Sequence, residues 1–396
     1  MTTSIETEPT KDTYDYENTY ITDFEDLGIK ENLLRSIYSY GFETPSVIQQ
    51  RAIMPIIRKK DIIGQAQSGT GKTATFTIGV LERINEELDE TQAIILTHTR
   101  ELATQVKNVV TSLSTHMNIS INLSVGGTHV KDNINELLNK PKLIIGTPGR
   151  VLDMINKKAL NTRHLKVLVV DEADEMLSKI FLNQIYDIFR FLPNDIQVAL
   201  FSATMPTEFF ELTKRFMRDP VRILVKKEEL TLEGIKQYYI DVERNEYKFD
   251  TICDLYSKFS LSQTIIYCNS KKIVDNLSFK LNQSNFSVTK MHGEMEQSER
   301  NKIMDSFRQG ENRILVTTDL LSRGIDVQQV SIVINYDIPY NIESYIHRIG
   351  RSGRFGRKGM ALNFVTQYDI SKLGEIEKYY STSIEQLPDL GLISFS

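Results

Sequence analysis

Residues 167–177, VLVVDEADEML, drive four apolar residues straight into acids at Asp171, Glu172, Asp174 and Glu175. An apolar run without polar alternation reads as a strand buried on both faces of a parallel sheet. The acids at its end have two readings. They complement the dipole of a helix start, or they hold Mg²⁺ and orient a water at the carboxyl end of the sheet, where open α/β sheets bind ligands. Taken alone, the segment leaves both open.

A second segment, AQSGTGKT, runs from Ala66 to Thr73, after the apolar pair Ile62-Ile63 and before a helical pattern. Gly69 and Gly71 let backbone N–H groups turn inward around an anion, with Ser68 and Thr70 in the same cradle. Lys72 supplies charge for the β and γ phosphates, and Thr73 a hydroxyl for Mg²⁺. Ala66 stands where the strict G-x-x-x-x-G-K-[ST] pattern has its first glycine. The order strand, loop, helix is nevertheless what phosphate binding requires; the alternative is a Gly-rich turn with an incidental Lys-Thr. A nucleotide-hydrolysing enzyme of this type also needs an acid for Mg²⁺ at the end of a neighbouring strand, and a group for the attacking water. Asp171 and Glu172 stand in those places, so each segment strengthens the other.

The third segment, YIHRIGRSGRFGRKGM, carries Arg348, Arg351, Arg354, Arg357 and Lys358 with no acid. One reading is a solvated basic face or a localisation-like patch. The arginines recur every third residue among glycines, a spacing that predicts several guanidinium groups on one edge, suited to forked contacts with phosphate oxygens. A guanidinium brought to a γ phosphate from another domain is an arginine finger. The two halves of the chain would then share one nucleotide.

The elements that must position these groups are legible as alternation. From about residue 60, the β-rich runs DIIGQA, AIILTHT, INLSV, KLIIGT, KVLVVD and QVALFSA are separated by helix-length amphipathic stretches. That order predicts right-handed crossovers and a mostly parallel sheet with helices on both faces. The pattern breaks in PVRILVKKEELTLEGIK and resumes with KQYYIDV, QTIIYCNS, FSVTKMH, RILVTTD, SIVINYD and MALNFV. The fold class is therefore α/β with two tandem layered domains, at 23–225 and 237–396, joined by a linker at 226–236. Residues 1–22 hold five acids and one lysine and read as a mobile acidic tail. That tail supplies most of the net charge of −5, so any nucleic-acid surface must be local. Cys253 and Cys268 fall in stretches that read as helix and buried strand, which fits a reducing compartment and neither a disulfide framework nor a zinc site. No apolar run is long enough to span a membrane, and the acidic N-terminus lacks an apolar core for a signal peptide.

AQSGTGKT, DEAD, SAT at Ser202 to Thr204 and HRIGRSGR, in this order over about residues 24–380, resemble the DEAD-box RNA helicases of superfamily 2. The resemblance implies two RecA-like domains that clamp ATP and Mg²⁺ between them and single-stranded RNA across both. By it, GFETPSVIQ is similar to the adenine-reading Q motif, with Gln49 on the adenine edge and Phe24 stacked on the base. It assigns Lys72 and Thr73 to phosphate and Mg²⁺, Asp171 to Mg²⁺ and Glu172 to the attacking water. Ser202 and Thr204 would couple the nucleotide to RNA near Asp174. From the second domain come Gly324 and Asp326 at the ribose and phosphates, Arg351 and Arg354 as fingers, and His347 in the interdomain network. RNA would be gripped by Thr99, Arg100, Gly126, Gly127, Thr147, Gly149 and Arg150, then by Asn269, Arg300, Thr317 and Thr318. Contacts of these kinds to phosphate and sugar carry no base preference, and the 2′-OH separates RNA from DNA.

Two places depart from the family pattern: His98 replaces the usual proline, and Lys179-Ile180 replaces Arg-Gly. DPVRILVKKEELTLEGIKQ and GRFGRKGMALNFVT are similar to the initiation factor 4A subgroup. That implies a cytoplasmic monomer, also compatible with the nucleus, unwinding short RNA duplexes in translation initiation, with a helical-repeat scaffold of the initiation factor 4G type as partner. MHGEMEQSER and VERNEYKFDTICDLY lean instead toward an ATP-gated RNA clamp of the exon-junction type.

Overall fold

The structure is a computed structural model that describes residues 21–66, 70–178, 180–205, 207–223, 235–258, 261, 263–319, 330, 332–352, 359–380 and 382–388. It contains two seven-stranded sheets, and the strand pairs are parallel in both. The first comprises β1 (Ile62–Gln65), β2 (Ala93–Leu96), β3 (Ile121–Ser124), β4 (Leu143–Gly146), β5 (Val167–Asp171), β6 (Gln197–Ser202) and β7 (Val221–Ile223). The second comprises β8 (Ile235–Asp241), β9 (Thr264–Tyr267), β10 (Val288–Met291), β11 (Ile314–Thr317), β12 (Ile332–Asn335), β13 (Gly359–Val365) and β14 (Glu385–Gln386). Their orders, β3-β4-β2-β5-β6-β1-β7 and β10-β11-β9-β12-β13-β8-β14, are the same path traced twice. The fold is two tandem RecA-like layers.

Strand β5 shows why these runs form central strands. All five of its residues are buried, with Val167 and Val169 in the apolar cluster on one face and Leu168 and Val170 in the cluster on the other. Successive side chains point to opposite faces, so only a strand covered by helices on both sides tolerates such a run. β5 lies between β2 and β6, with Asp171 opposite Phe201, which places the acid at the carboxyl edge of the sheet.

Helix starts follow local chemistry. Ser46 and Gln49 form a reciprocal capping box at helix Val47–Ile57. The Thr99 hydroxyl accepts from Leu102 N at 3.2 Å and caps helix Arg100–Leu113.

Two boundaries differ from the sequence reading. β8 begins at Ile235, two residues inside the stretch expected to be linker, because its pairing with Gly359 and Met360 of β13 extends that far. Ile21 is buried and its N–H donates to Gln50 O at 3.4 Å, so the expected tail is anchored by that point. β14, only two exposed residues, offers no alternation to read.

Candidate nucleotide and nucleic-acid site

The carboxyl ends of the parallel strands gather most of the described candidate residues, as open α/β sheets do with their ligands. Lys72 opens helix Lys72–Arg83 after β1, Asp171 ends β5, and Ser202 ends β6. Gly71 precedes Lys72 at φ +100°, a left-handed conformation that glycine adopts without steric cost. A Cβ there would lie 2.8 Å from Gln49 Nε2, so the Q-motif glutamine packs directly on the phosphate loop. Gln49 is buried and its Oε1 accepts from Ser46 N at 2.8 Å, leaving the amide nitrogen on the loop side. Ser68 and Gly69 lie outside the described residues, as do Gly324, Asp326 and Arg354. Lys72 Nζ donates to Ala66 O at 2.8 Å, so the ammonium folds back over the loop that precedes it.

Asp171 and Glu172 meet at a strained junction. Glu172 sits at φ 49°, ψ 53°, a left-handed conformation uncommon for a non-glycine residue. Asp171 Oδ1 accepts from Glu172 N at 3.0 Å. Burial, and then the adjacent Glu172 carboxylate, push the Asp171 carboxyl well above the usual carboxylate range, against the pull of Lys72. A hard divalent cation is the partner that restores the charge on such an acid. The donor set suits Mg²⁺, which takes one or two carboxylates and fills its remaining positions with water and phosphate oxygens.

The two halves meet beside these acids. Thr204 Oγ1 donates to Asp174 Oδ2 at 2.5 Å, and His347 Nε2 from the second half lies 3.4 Å from the same oxygen. Ligand atoms of Glu172, Asp174 and His347 all lie within 4.8 Å of one another. Ser202 Oγ accepts from Thr204 N at 3.2 Å, so its part is to hold Thr204, the residue that contacts Asp174. Arg351 is buried, and its Nε donates to His347 O at 3.0 Å, one turn further along the same segment.

Several expected contacts are corrected. Phe24 has no exposed surface; its ring packs edge-on to Tyr38 at 6.5 Å and tilted on Phe42 at 6.3 Å, so a stacked adenine requires a neighbour to move. Arg348, read as part of a phosphate-facing edge, points inward. Its guanidinium makes five hydrogen bonds, to Asp319, Asn335, Asp337 O and Asn269, and lies 5.3 Å from the centroid of the Tyr267 ring. Thr317 is fully buried and its hydroxyl donates to Met291 O at 2.9 Å, whereas Thr318, just past β11, is half-buried. The Asn269 amide donates to Ile338 O at 2.8 Å while its oxygen accepts from Arg348. Arg150 donates to Thr128 Oγ1 and Thr128 O, both at 2.8 Å, and so braces the Gly126-Gly127 turn from below. Sequence reasoning missed Thr128, Asp319 and Glu101 because single polar residues in loops and on helix faces carry no spacing signal.

Around that turn, Thr99, Thr147 and exposed Gly149 stand at helix starts after β2 and β4, and Arg100 lies against Gly126 and Gly127. Gly127 has φ +79°, and a Cβ on it would collide with the Arg100 guanidinium. Gly127→Ala should therefore displace Arg100, add roughly 1 kcal/mol of backbone strain and weaken RNA binding severalfold. Fluorescence anisotropy with single-stranded RNA reads the change, and unaltered affinity would remove Arg100 from the RNA surface.

Arg300 was expected on the RNA track. Instead, Arg300 Nη1 pairs with Glu101 Oε1 at 2.9 Å across the two halves, with both side chains largely buried. Breaking one member of a buried pair strands the other charge. Glu101→Gln and Arg300→Gln should each lower RNA-stimulated turnover, and the double variant should lose less than the product of the two. A double-mutant cycle on ATPase rates checks this, and strict additivity would dissolve the pairing.

The fold and this composite site are those of an RNA-dependent ATPase with two RecA-like halves. The family signatures agree: the DEAD/DEAH box helicase signature matches residues 46–212 and the helicase conserved C-terminal domain matches 247–356. The chain belongs to the DEAD-box family of ATP-dependent RNA helicases, and is an ATP-hydrolysing enzyme. More particularly, it is 56% identical over 371 residues to the ATP-dependent RNA helicase eIF4A of Scheffersomyces stipitis, covering 93% of this chain and 94% of that one. It is equally 56% identical over 368 residues to the ATP-dependent RNA helicase fal1 of Schizosaccharomyces pombe, covering 93% of each. Among solved structures it superimposes on S. cerevisiae Dbp5 bound to RNA and ADP BeF3 with a TM-score of 0.87 at 36% identity, over 92% of this chain and 95% of that one. Among the described residues, no helix is long and apolar enough to cross a membrane.

Proposed function

We propose that this chain uses ATP binding and hydrolysis to close its two halves on single-stranded RNA and so separate short RNA duplexes, acting as a translation initiation helicase of the eIF4A type. The observation that carries it is the junction of Thr204, Asp174 and His347, which ties the acids of the first half to the second half by side-chain contacts. The first domain is residues 23–225, and the second is taken from the strand that begins at Ile235 through residue 396. Asp171 and Thr73 are the residues that would hold Mg²⁺, which supplies charge neutralisation at the β and γ phosphates when bound. Gln49 reads adenine, Lys72 leaves Ala66 for the phosphates, and Glu172 takes the proton of the attacking water. Arg351 and Arg354 approach the transferred phosphoryl group from the second half. RNA lies over Thr99, Arg100, the Gly126-Gly127 turn, Thr147 and Gly149, and continues past Thr318. The chain acts as a monomer in the cytoplasm and accepts a helical-repeat scaffold of the initiation factor 4G type across both halves. The relatives reported above are named as helicases, and neither name carries the clamp alternative.

Strand displacement tests the proposal. A short RNA duplex with a labelled strand should separate when ATP is added, and a duplex several times longer should not. Separation without nucleotide, or equal separation of long DNA duplexes, contradicts it.

A further inference from the structure

A cavity of about 440 Å³ opens at the end of the first sheet remote from the phosphate loop, among residues at the starts of β5 and β6 and at the ends of helices Val47–Ile57 and Lys72–Arg83. One helix connects the two places: Lys72 begins it and Arg83 ends it, roughly 16 Å away at the α-helical rise. Nothing in the nucleotide or RNA site reaches this end of the sheet.

Three cations line the cavity, Lys59, Arg83 and Lys166. Among the described residues, none of them forms an ion pair. Arg83 Nη1 donates to the Gln197 side-chain oxygen, and Lys166 Nζ donates to Gln92 Oε1 at 2.7 Å. Of the acids in the lining, Glu82 accepts from Lys30 N at 2.9 Å, and Asp195 is exposed and forms no ion pair among the described residues. Burial lowers the Arg83 guanidinium to about 10. Burial, then the charges of Arg83, Lys30 and Lys59, push the Lys166 ammonium below its ordinary range. Cations at a helix C-terminus ordinarily answer the helix dipole. Here Lys30 already does so, with Nζ donating to Leu81 O at 3.2 Å and Ile84 O at 2.6 Å. Lys59 and Lys166 come from other elements altogether.

A half-buried guanidinium and two ammonium groups outnumber the two carboxylates of the lining and pair with neither of them among the described residues, and around a concave wall of Ile57 and Leu165 they form a site for an anion with an apolar or sugar body. We propose that this cavity binds a small phosphomonoester, with Arg83, Lys166 and Lys59 on its phosphate group and Ile57 and Leu165 against its body.

The test is calorimetric titration of ribose 5-phosphate, and separately of inorganic phosphate, into the full chain with its nucleotide site saturated by ADP and Mg²⁺. Ribose 5-phosphate should bind at one equivalent and more tightly than inorganic phosphate. The Lys59→Gln/Lys166→Gln double variant should weaken binding by about tenfold or more while keeping RNA-stimulated ATPase activity and the thermal midpoint of the parent. Lys59→Gln alone, at an exposed side chain, should weaken binding partially without any risk to the fold. No saturable heat at millimolar concentration, equal affinity for the two probes, or binding indifferent to both variants would overturn the assignment.

Discussion

Glu172→Gln lowers RNA-stimulated ATP turnover by about 10²–10⁴-fold, the range for loss of a general base, while nucleotide and RNA binding persist. The substitution keeps side-chain size and hydrogen-bonding capacity and removes only the ability to take a proton. Glu172 is buried beside Asp171 and held in a left-handed backbone conformation at the end of a central strand. Strain of this kind costs on the order of 1–3 kcal/mol and persists where the surroundings over-determine it. Glu175, two residues past the junction Ala173 in the following helical turn, is the comparison. Its acid complements a helix start, so Glu175→Gln should leave turnover within about twofold. Steady-state phosphate release for both variants, with RNA affinity measured in parallel, separates the roles. Equal loss in the two variants would show that the acidic segment acts through its net charge alone.

The second large effect is on stability. Arg348→Met should destabilise the second half by about 1–3 kcal/mol, the cost of leaving buried Asn335 without its donor, while the Asp319 carboxylate, 41% exposed, turns to water. All five N–H groups of Arg348 are used: Nε and Nη2 fork onto Asp319 at 2.5 and 2.9 Å, Nη2 also reaches Asn269 Oδ1 at 2.8 Å, and Nη1 reaches Asn335 Oδ1 and Asp337 O. Methionine fills the volume and satisfies none of these acceptors. Asn335 is fully buried and its Nδ2 donates on to Asn363 Oδ1 at 2.8 Å, so the disturbance enters the sheet between β12 and β13. Arg348 also shares helix Ile342–Ile349 with His347, one residue from the contact with Asp174. RNA-stimulated turnover should fall with stability. Urea unfolding followed by a probe in the second half reads the loss, and an unchanged midpoint would mean the network is dispensable.

Much of this was legible before the structure. The apolar runs of β1, β2, β4, β5 and β6 are buried on both faces, and such runs announce central parallel strands whatever surrounds them. Lys72, Asp171 and Ser202 could be placed because a loop or acid that ends a parallel strand must emerge at one edge of the sheet. Arg348 could not. Its three-residue spacing from Arg351 suggested one shared outward edge, but helix Ile342–Ile349 buries the face that carries it, and its acceptors come from separate strands and loops. The partner of Arg300 was not legible for a related reason: it pairs with Glu101 across the interdomain boundary, between residues 199 positions apart, and no local pattern encodes that. Thr317 and Thr318 read alike in sequence, yet β11, buried on both faces, ends at Thr317, so the first lies in the core and the second, just past the strand, is half-buried.

The central claim is that RNA and ATP act together, because His347 of the second half meets Asp174 of the first and Arg351 is bonded to His347 O beside that contact. The direct measurement is steady-state ATPase activity of the intact chain with single-stranded RNA, with DNA of the same sequence, and with neither. Turnover should rise at least tenfold with RNA and remain at its basal level with DNA, in line with an RNA-gated closure. Turnover that is the same in all three conditions would contradict the account.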